Sequence, residues 1–378
     1  MAITVKTKPT SPNVTDTKLV YAVSSSNATL PQFQYVTDVN LGGERLTRLL
    51  TYPNPQGYGV LEVSSILGDN LGYDNDWKVS TPTVSDEGFK EFTLHFSESY
   101  GTSLSSSVTF YPGGASDSIE VFQGTVDPNQ GSFNFEPSSS YQLLTNYTKG
   151  YISKNNHLTV PAYVPSGTSQ LKTEFIDPDG SVLQSTNQSL ISAGGFSIFT
   201  VPIGSGSTSF NTVYNNQDWE EIRLRNGGTD DLLFTYYRVR PCYDDGVTFA
   251  FINNYGYYEY FSIGNPVRKN TEVGREVADL PTVDYSNLGV YDITRRGEKA
   301  YNTTYTDTFD VTTDYLDQET AGLLTELYDS PEVYVQESGK FIPIIITDTT
   351  YTSNTNQSRQ KLFQYTITYR YANSRYSR

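Results

Sequence analysis

A mainly β protein is what this sequence predicts, with two or three β-sandwich-like domains and one short helix. Three observations predict it. Tyr and Phe dominate the aromatic residues, at 31 and 19 of 378 residues, and with Thr and Val they favour half-buried strands. Short alternating segments recur between turns rich in Gly, Pro, Asn and Asp. The long Ala/Leu/Glu/Lys stretches of helix bundles are missing from the sequence.

The N-terminal third predicts an arm followed by a first sandwich. Residues 1–18 are polar and contain two prolines, so we expect an extended arm that orders only on a neighbouring protein. Residues 19–135 then form a β-sandwich domain. Within it, QFQYVTDVNL and GERLTRLLTY flank Gly42-Gly43, which predicts a hairpin. A brief helical turn is expected from Ser64 or Ser65 through Leu71.

The middle of the chain, residues 136–243, predicts an immunoglobulin-like β-sandwich domain. Its run LKTEFIDPDGSVLQS is interpreted as two strands joined by a turn at Asp177-Pro178-Asp179-Gly180. A calcium loop is the functional alternative for Asp177 and Asp179. That motif needs further acidic ligands and a closing Glu at fixed spacing, and these are missing here. The turn is therefore the favoured interpretation.

Residues 244–378 predict a β-rich assembly module with the chain's one helix, at about 314–329. Its apolar residues recur at helical spacing, with Asp314 expected as the N-cap and Ser330-Pro331 ending the helix. Two strands, EVYVQ and KFIPIIITDTTY, should follow around Ser338-Gly339. The segment KLFQYTITYRYA alternates aromatic residues on one face, so we expect it to be well paired or to lie in a contact between subunits.

Two C-terminal features supply the candidate interface residues. The Tyr-rich segment FINNYGYYEYFSIG fits a hairpin core, and a subunit interface and a glycan-stacking surface are the alternatives. The end YRYANSRYSR is basic in a chain of net charge -16, which suggests docking on an acidic partner. The interface candidates are Tyr255, Tyr257, Tyr258, Tyr369, Arg370, Arg375 and Arg378.

No constellation of residues marks an enzyme, a metal site or a cofactor site. His95 and His157 fall in different predicted domains, and His95 is expected to face solvent from its strand. No Gly-x-Ser-x-Gly elbow, Walker loop or complete dinucleotide fingerprint is present in the sequence. The single cysteine, Cys242, supports neither an internal disulfide nor a Cys-based zinc site. The acidic charge also argues against a nucleic-acid surface.

Paired carboxylates are the remaining catalytic possibility, since glycoside hydrolysis needs only two of them across a cleft. The candidates are Glu220 and Glu221 beside Trp219, or Asp244 and Asp245. Solvated turn acids are the favoured interpretation of both pairs. The sequence contains no apolar stretch long enough to span a membrane. Its start lacks the apolar stretch of a signal peptide. The single cysteine, which rules out an internal disulfide framework, suits folding in a reducing cytoplasm before assembly.

Several segments taken in order resemble one family. They are FQYVTDVNLGGERLTRLLTYPNPQGYGVLEVSSILGDNL, FTLHFSESYG, FINNYGYYEYF, a polar linker with TRRGEKAYNTTYTDTF, then DYLDQETAGLLTELYDSPEVYVQESGKFIPIIITDTTY and QYTITYRYAN. Together they resemble β-rich tail or neck structural proteins of tailed phages that infect Bacteroidota, including crAss-like phages.

The resemblance implies a structural subunit of a phage virion, in a tail or neck ring or tube, without enzymatic activity. Its expected partners are other virion proteins and further copies of itself in a homo-oligomeric ring. A receptor- or glycan-binding tail protein, with or without glycan-cleaving activity, is the alternative function. No cofactor is expected.

Overall fold

The computed structural model describes residues 3–73, 79–85, 87–126, 142–165, 167–192, 197–240, 246–280, 283–284, 290–291, 297–348 and 363–373. Strands make up 56% and helices 7% of the structure, and the strands form several sheets. The predicted mainly β fold with sandwich-like domains is therefore confirmed. Three short helices are present within the described residues, where the sequence predicted one helix and a brief helical turn.

The first sandwich consists of two sheets around one apolar core. Its elements are β1 (Ile3–Thr7), β2 (Asn13–Val14), β3 (Val20–Ser25), β4 (Gln34–Leu41), β5 (Glu44–Thr51), β6 (Tyr58–Glu62), α1 (Ser64–Gly68), β8 (Phe89–Tyr100) and β9 (Thr109–Phe122), with β7 (Thr83–Val84) joining a later sheet. The sheet orders are β1-β3-β6 and β2-β9-β8-β4-β5. Tyr21, Tyr35 and Phe92 anchor the shared core.

Local turn chemistry forms the β4–β5 hairpin as predicted. Gly42 and Gly43 adopt φ values of +58° and +87°, which side chains with a Cβ rarely tolerate. A two-residue turn with positive φ at both positions joins the strands directly, because it matches the twist of the flanking strands. The pairing then runs from Leu41–Glu44 to Tyr35–Thr51.

The structure differs from the arm expected over residues 1–18. Strand β1 pairs antiparallel with β3, and β2 runs parallel to β9. Val14 is fully buried and Ile3 is 7% exposed. The ladder hydrogen bonds and this apolar burial hold the segment on its own domain, despite its polar composition and two prolines.

A second pair of sheets follows. Its elements are β10 (Gln142–Leu143), β11 (Lys149–Ser153), β12 (Thr159–Val164), β13 (Gly167–Ile176), β14 (Val182–Ser192), β15 (Ser197–Pro202), α2 (Asn211–Asn216), β16 (Glu221–Asn226) and β17 (Leu232–Val239). The orders are β10-β12-β15-β7 and β11-β17-β16-β13-β14. Helix α2 was not predicted, because six residues rich in Asn carry no helical periodicity. It buries Tyr214 against Trp219, with ring centroids 5.3 Å apart.

The turn between β13 and β14 is confirmed. Asp177 Oδ1 accepts hydrogen bonds from the backbone N–H groups of Asp179 (3.0 Å) and Ser181 (2.7 Å). Gly180 takes a φ of +85°. The Asp177 carboxylate therefore stabilises the turn, as an Asx-type turn residue does.

The C-terminal strands form a seven-stranded sheet. Its strands are β18 (Val247–Ile252), β19 (Tyr258–Ile263), β20 (Arg268–Asp279), β23 (Glu298–Thr312), β24 (Val333–Glu337), β25 (Lys340–Ile346) and β26 (Thr366–Tyr371). Helix α3 (Gln318–Asp329) lies between β23 and β24 in the chain, and β21 (Val283–Asp284) pairs separately with β22 (Val290–Tyr291). The order is β19-β18-β24-β25-β26-β23-β20. The predicted β24–β25 hairpin turns at Ser338 and Gly339, both with positive φ.

Helix α3 begins three residues later than the predicted N-cap implies. Asp317, not Asp314, is its N-cap, and its Oδ1 accepts from the Thr320 N–H at 3.0 Å. Leu316, which fitted the helical pattern, instead forms a β-bridge with Phe363. Leu316 lies one residue before the N-cap and still fits the helical spacing of the later leucines. The periodic pattern therefore predicted a helix start that is too early.

The chain divides into two compact units. One comprises Met1–Gly150, Lys154–Arg238 and Phe251–Glu259, and the other comprises Tyr151–Ser153, Val239–Ala250 and Tyr260–Arg378. The three-domain division at 135/136 and 243/244 stays a prediction.

A partly buried ion network crosses the β13–β16 pair. Glu174 accepts from Lys172 at 2.8 Å and from Arg225 at 2.9 Å. Burial acts to raise the pKa of Glu174, but the hydrogen bonds and charges of Lys172 and Arg225 outweigh it, so the pKa lies below its usual value. A carboxylate with a lowered folded-state pKa stabilises the fold above its unfolded pKa, and this contribution is lost as pH falls through the folded value.

We therefore expect Glu174→Gln to be less stable than the unaltered protein at pH 7, by about 1–3 kcal/mol, because hydrogen bonds to a charged group are lost. The difference should shrink in acid, below the lowered pKa of Glu174, where the native carboxyl is protonated too. Urea unfolding followed by tryptophan fluorescence, over a pH series from 7 to the most acidic pH at which the protein still folds, measures both. A difference that stays constant over the whole series would contradict the assignment.

Candidate assembly surface

The three tyrosines after β18 lie largely inside the protein. Tyr257 and Tyr258 are only 2% and 7% exposed, and Tyr255 is half-buried. Tyr257 belongs to an apolar cluster that contains Val14, Phe122, Leu144, Tyr163 and Ile198. Tyr257 and Tyr258 thus offer no ring to a partner, in contrast to their choice as interface candidates. The hairpin-core interpretation describes both of them.

The turn itself explains this burial. Asn253 Oδ1 accepts from the N–H groups of Tyr255 (3.0 Å) and Tyr257 (3.1 Å), which closes the turn tightly. Gly256 has a φ of +83°, and a Cβ at this position would lie 1.9 Å from the carbonyl oxygen of Gln123. Only glycine permits this close approach, so the turn packs down on its neighbour instead of projecting.

The C-terminal candidates divide in the same way. Tyr369 is 1% exposed and its ring stacks on Phe309, with centroids 5.3 Å apart. Burial raises the pKa of the Tyr369 hydroxyl well above its usual value. Arg370 is half-buried in β26, where it pairs with Ile345 of β25. Arg375 and Arg378 lie outside the described residues.

The most exposed β-structure in the described chain is a ribbon formed by β20 and residues 298–308 of β23. All twelve residues of β20 are exposed. Its ladder with β23 runs from Arg268–Asp310 to Asp279–Glu298, with one bulge. At about 3.4 Å per residue the ribbon is roughly 40 Å long.

Polar contacts fix the base of the ribbon. Thr271 Oγ1 donates to Asp307 Oδ1 at 2.6 Å, and Lys269 Nζ lies 2.9 Å from Asp307 Oδ2. Asn270 Nδ2 donates to Asp310 Oδ2, also at 2.6 Å. These cross-strand contacts set the register of the two strands where they leave the sheet.

Both edges of the ribbon are open over the described residues. Strand β20 has a single neighbour, β23, and β23 meets β26 only from Phe309 to Thr312. Apolar side chains also reach solvent here: Val273 is 37% exposed, Val277 52% and Tyr301 65%. A two-stranded ribbon without a third strand or an apolar cover is marginally stable, so this surface is suited to a partner.

The sequence did not predict the ribbon, because the segment with TRRGEKAYNTTYTDTF is polar and was interpreted as a linker. One signal was available, because Tyr305, Asp307, Phe309 and Val311 alternate across the base of β23. Strand β20 carries no such signal. Its residues are exposed on both faces, so polar and apolar residues need not alternate.

The histidine and acidic candidates among the described residues lie in different parts of the fold. His95 faces solvent from β8, as predicted, and His157 is half-buried. Glu221 forms an ion pair with Arg223 at 2.7 Å. Trp219 is fully buried and donates from Nε1 to the Tyr214 carbonyl oxygen. No group of three or more His, Cys, Asp or Glu residues is arranged to hold a metal in this part of the chain.

Cys242, Asp244 and Asp245 lie outside the described residues. A small pocket in the described residues of the first unit lies beside Glu259 and is lined mainly by apolar and aromatic side chains, among them Val160, Phe234 and Tyr258. Glu259 accepts there from Thr145 at 3.1 Å and from Asn253 at 3.1 Å, so its carboxylate has structural partners.

A charged and aromatic patch lies on the β4–β5–β8–β9 sheet. Arg48 donates twice to Asp38, at 2.6 and 2.7 Å, and its guanidinium lies 4.7 Å from the centre of the Phe110 ring. The hydrogen bond from Arg48 holds the pKa of Asp38 below its usual value. Tyr52, at 69% exposure, accepts from Gln34 at 2.8 Å.

Comparisons with known proteins leave the family open. No protein-family model matches the chain, and no curated protein matches it. A solved structure, trypsin-activated alpha-2-macroglobulin from Escherichia coli, aligns at 9% identity with a TM-score of 0.21. The alignment covers 82% of this chain and 22% of that one, and a similarity this low carries no argument. No helix among the described residues is long and apolar enough to cross a membrane.

Removing the Asp307 carboxylate should loosen the ribbon at its base. Asp307→Ala loses the Thr271 hydrogen bond and the Lys269 ion pair, at a cost of about 1–2 kcal/mol, so amides 269–273 should exchange roughly 5–30-fold faster. Hydrogen–deuterium exchange with peptide-level mass spectrometry measures this. Asp279→Ala, at the far end of β20, is the control and should leave those amides unchanged. Equal rates in Asp307→Ala and the unaltered protein would show that these contacts do not hold the base.

Proposed function

We propose that this chain is a structural subunit of a phage virion, a component of a tail or neck ring or tube that assembles with neighbouring subunits. Its role is mechanical and non-enzymatic. Its partners are other virion proteins and further copies of itself.

The observation that carries the proposal is the ribbon. An ordered ribbon about 40 Å long, exposed on both faces and open at both edges, is a costly feature in an isolated chain. It is a useful one in an assembly, where a neighbouring strand or apolar surface completes it. Identical subunits close into rings when head-to-tail contacts repeat with a suitable rotation between neighbours.

Two further features support the proposal. The β-rich architecture supplies stiff domains, with tight glycine turns and aromatic cores. The ordered resemblance to tail and neck proteins of Bacteroidota phages spans the segments that form β4–β6, α1, β8, β18, β19, most of β23, α3 and β24–β26. Both features suit a load-bearing subunit.

The proposal predicts that the chain is present in purified particles in multiple copies. Quantitative mass spectrometry of particles from a producing culture should detect it at a fixed ratio to the major capsid protein. Gold-labelled antibodies should then mark the tail or neck in electron micrographs. Absence of the chain from intact particles, with the chain free in the lysate, would contradict the proposal.

Glycan binding is the second candidate function, and the exposed rings of Tyr52 and Phe110 favour it. Phe110 lies beside the Arg48–Asp38 pair, and Tyr52 directly follows β5 with its hydroxyl hydrogen-bonded to Gln34, so each ring has hydrogen-bonding groups next to it. Aromatic faces beside polar groups are a common arrangement for recognising amphipathic ligands.

A glycan array of host surface polysaccharides tests this candidate. Binding that Tyr52→Ala weakens at least tenfold would support it. Tyr315→Ala is the matched control, because Tyr315 is also 69% exposed and lies in the other unit. Absence of binding to every host polysaccharide, or equal loss in the two variants, would remove it.

A further inference from the structure

We propose that two copies of this chain join through the outer edges of their β20 strands, running antiparallel, to form a four-stranded sheet in the order β23-β20-β20-β23. The inference goes beyond the virion proposal, because it concerns pairing of the chain in solution and does not depend on whether the chain is part of a virion.

The first argument concerns backbone hydrogen bonds. Within the described residues, β20 forms one ladder, to β23, and no further backbone hydrogen bond apart from Leu280 N to Gly297 O at its end. The N–H and C=O groups on its other edge therefore face solvent along twelve residues. Such an edge is a template for another strand, and a third and fourth strand convert a marginal ribbon into a stable sheet.

The second argument is charge order, which selects the direction of pairing. The base of β20 begins with Arg268 and Lys269, whereas its far end contains Glu276 and Asp279. Parallel pairing of two copies would set like charges beside each other at both ends. Antiparallel pairing brings the basic base of one strand to the acidic end of the other, which is favourable.

Charges also select the register. When Val273 lies opposite Val273 of the second copy, no two like charges stand directly opposite each other along β20. When Gly274 lies opposite Gly274 of the second copy, Glu272 lies opposite Glu276. When the register moves one residue the other way, Glu272 lies opposite Glu272 of the second copy. Like charges directly opposite are destabilising, so the Val273-centred register is preferred.

This register also covers an apolar row. Val273 pairs with Tyr305 on β23 in the same chain. In the four-stranded sheet, Tyr305 and Val273 of one copy would continue into Val273 and Tyr305 of the other. Apolar cross-strand neighbours of this kind stabilise a sheet and reduce the exposure of both valines.

The mixed charges of β20 are consistent with a selective contact. Charged residues on an edge strand discourage indiscriminate pairing. Here six of the twelve residues are charged, and their order admits an antiparallel copy while opposing parallel pairing and the two adjacent antiparallel registers. A second copy of the chain is therefore the occupant that the sequence of this edge fits.

Site-specific disulfide formation tests the register. In a Cys242→Ser background, Val273→Cys should form a covalent dimer under mild oxidation, because directly opposed residues in an antiparallel pair lie within disulfide distance. Val277→Cys is the matched control: it is an exposed valine on the same strand, but it would lie opposite Lys269 of the second copy. We expect at least tenfold faster cross-linking for Val273→Cys. Equal rates, or no cross-linking of Val273→Cys, would overturn the proposal.

Charge reversal tests the direction. Arg268→Glu with Lys269→Glu should raise the dimer dissociation constant at least tenfold in analytical ultracentrifugation at low salt. Adding Glu276→Lys and Asp279→Lys should restore dimerisation, which repair of the ribbon base alone would not do. Lys6→Glu with Lys18→Glu, an equal charge change at exposed sites in the first unit, is the control. The inference would be overturned if the unaltered protein stayed monomeric at all concentrations, or if the added Glu276→Lys and Asp279→Lys changes did not restore dimerisation. Detection of the chain in virions tests only the proposed function.

Discussion

Each β-strand presents backbone N–H and C=O groups along two edges, and the structure depends on how those groups are paired. In the two sandwiches and the seven-stranded sheet, neighbouring strands satisfy most of them, and tight turns set the register. Strand β20 is the clearest departure among the described residues, with one neighbour and complete exposure. The exposed ribbon, the proposed self-pairing and the proposed role in an assembly all follow from that one open edge.

The need to pair backbone groups makes the open edge of β20, and not the tyrosine-rich segments, the candidate contact surface. The sequence draws attention to aromatic residues, but Tyr257, Tyr258 and Tyr369 serve the interior. Strands β18 and β19 are buried along their whole length, so their side chains stabilise the core on both faces. The candidate contact surface is instead a strand edge with few aromatic groups, where backbone hydrogen bonds supply affinity and charge order supplies specificity.

The sequence predicted the parts of the fold that local chemistry decides. The hairpins at Gly42-Gly43, Asp177–Gly180 and Ser338-Gly339 depend on residues within a few positions of each turn, and all three are confirmed. The pairing of β2 with β9 joins segments about a hundred residues apart, which no local pattern records. The ribbon was missed because a strand exposed on both faces has no alternating pattern to detect, although its charge order is readable once the strand is known.

The central claim is that β20 becomes fully paired only when it meets a second copy. Hydrogen–deuterium exchange of the unaltered protein across a concentration series tests it most directly. We predict that peptides covering residues 268–279 become protected as the concentration rises, while peptides from the buried strands β18 and β19 do not change. The claim would be contradicted if exchange in residues 268–279 did not change with concentration, over a range in which the protein does not aggregate.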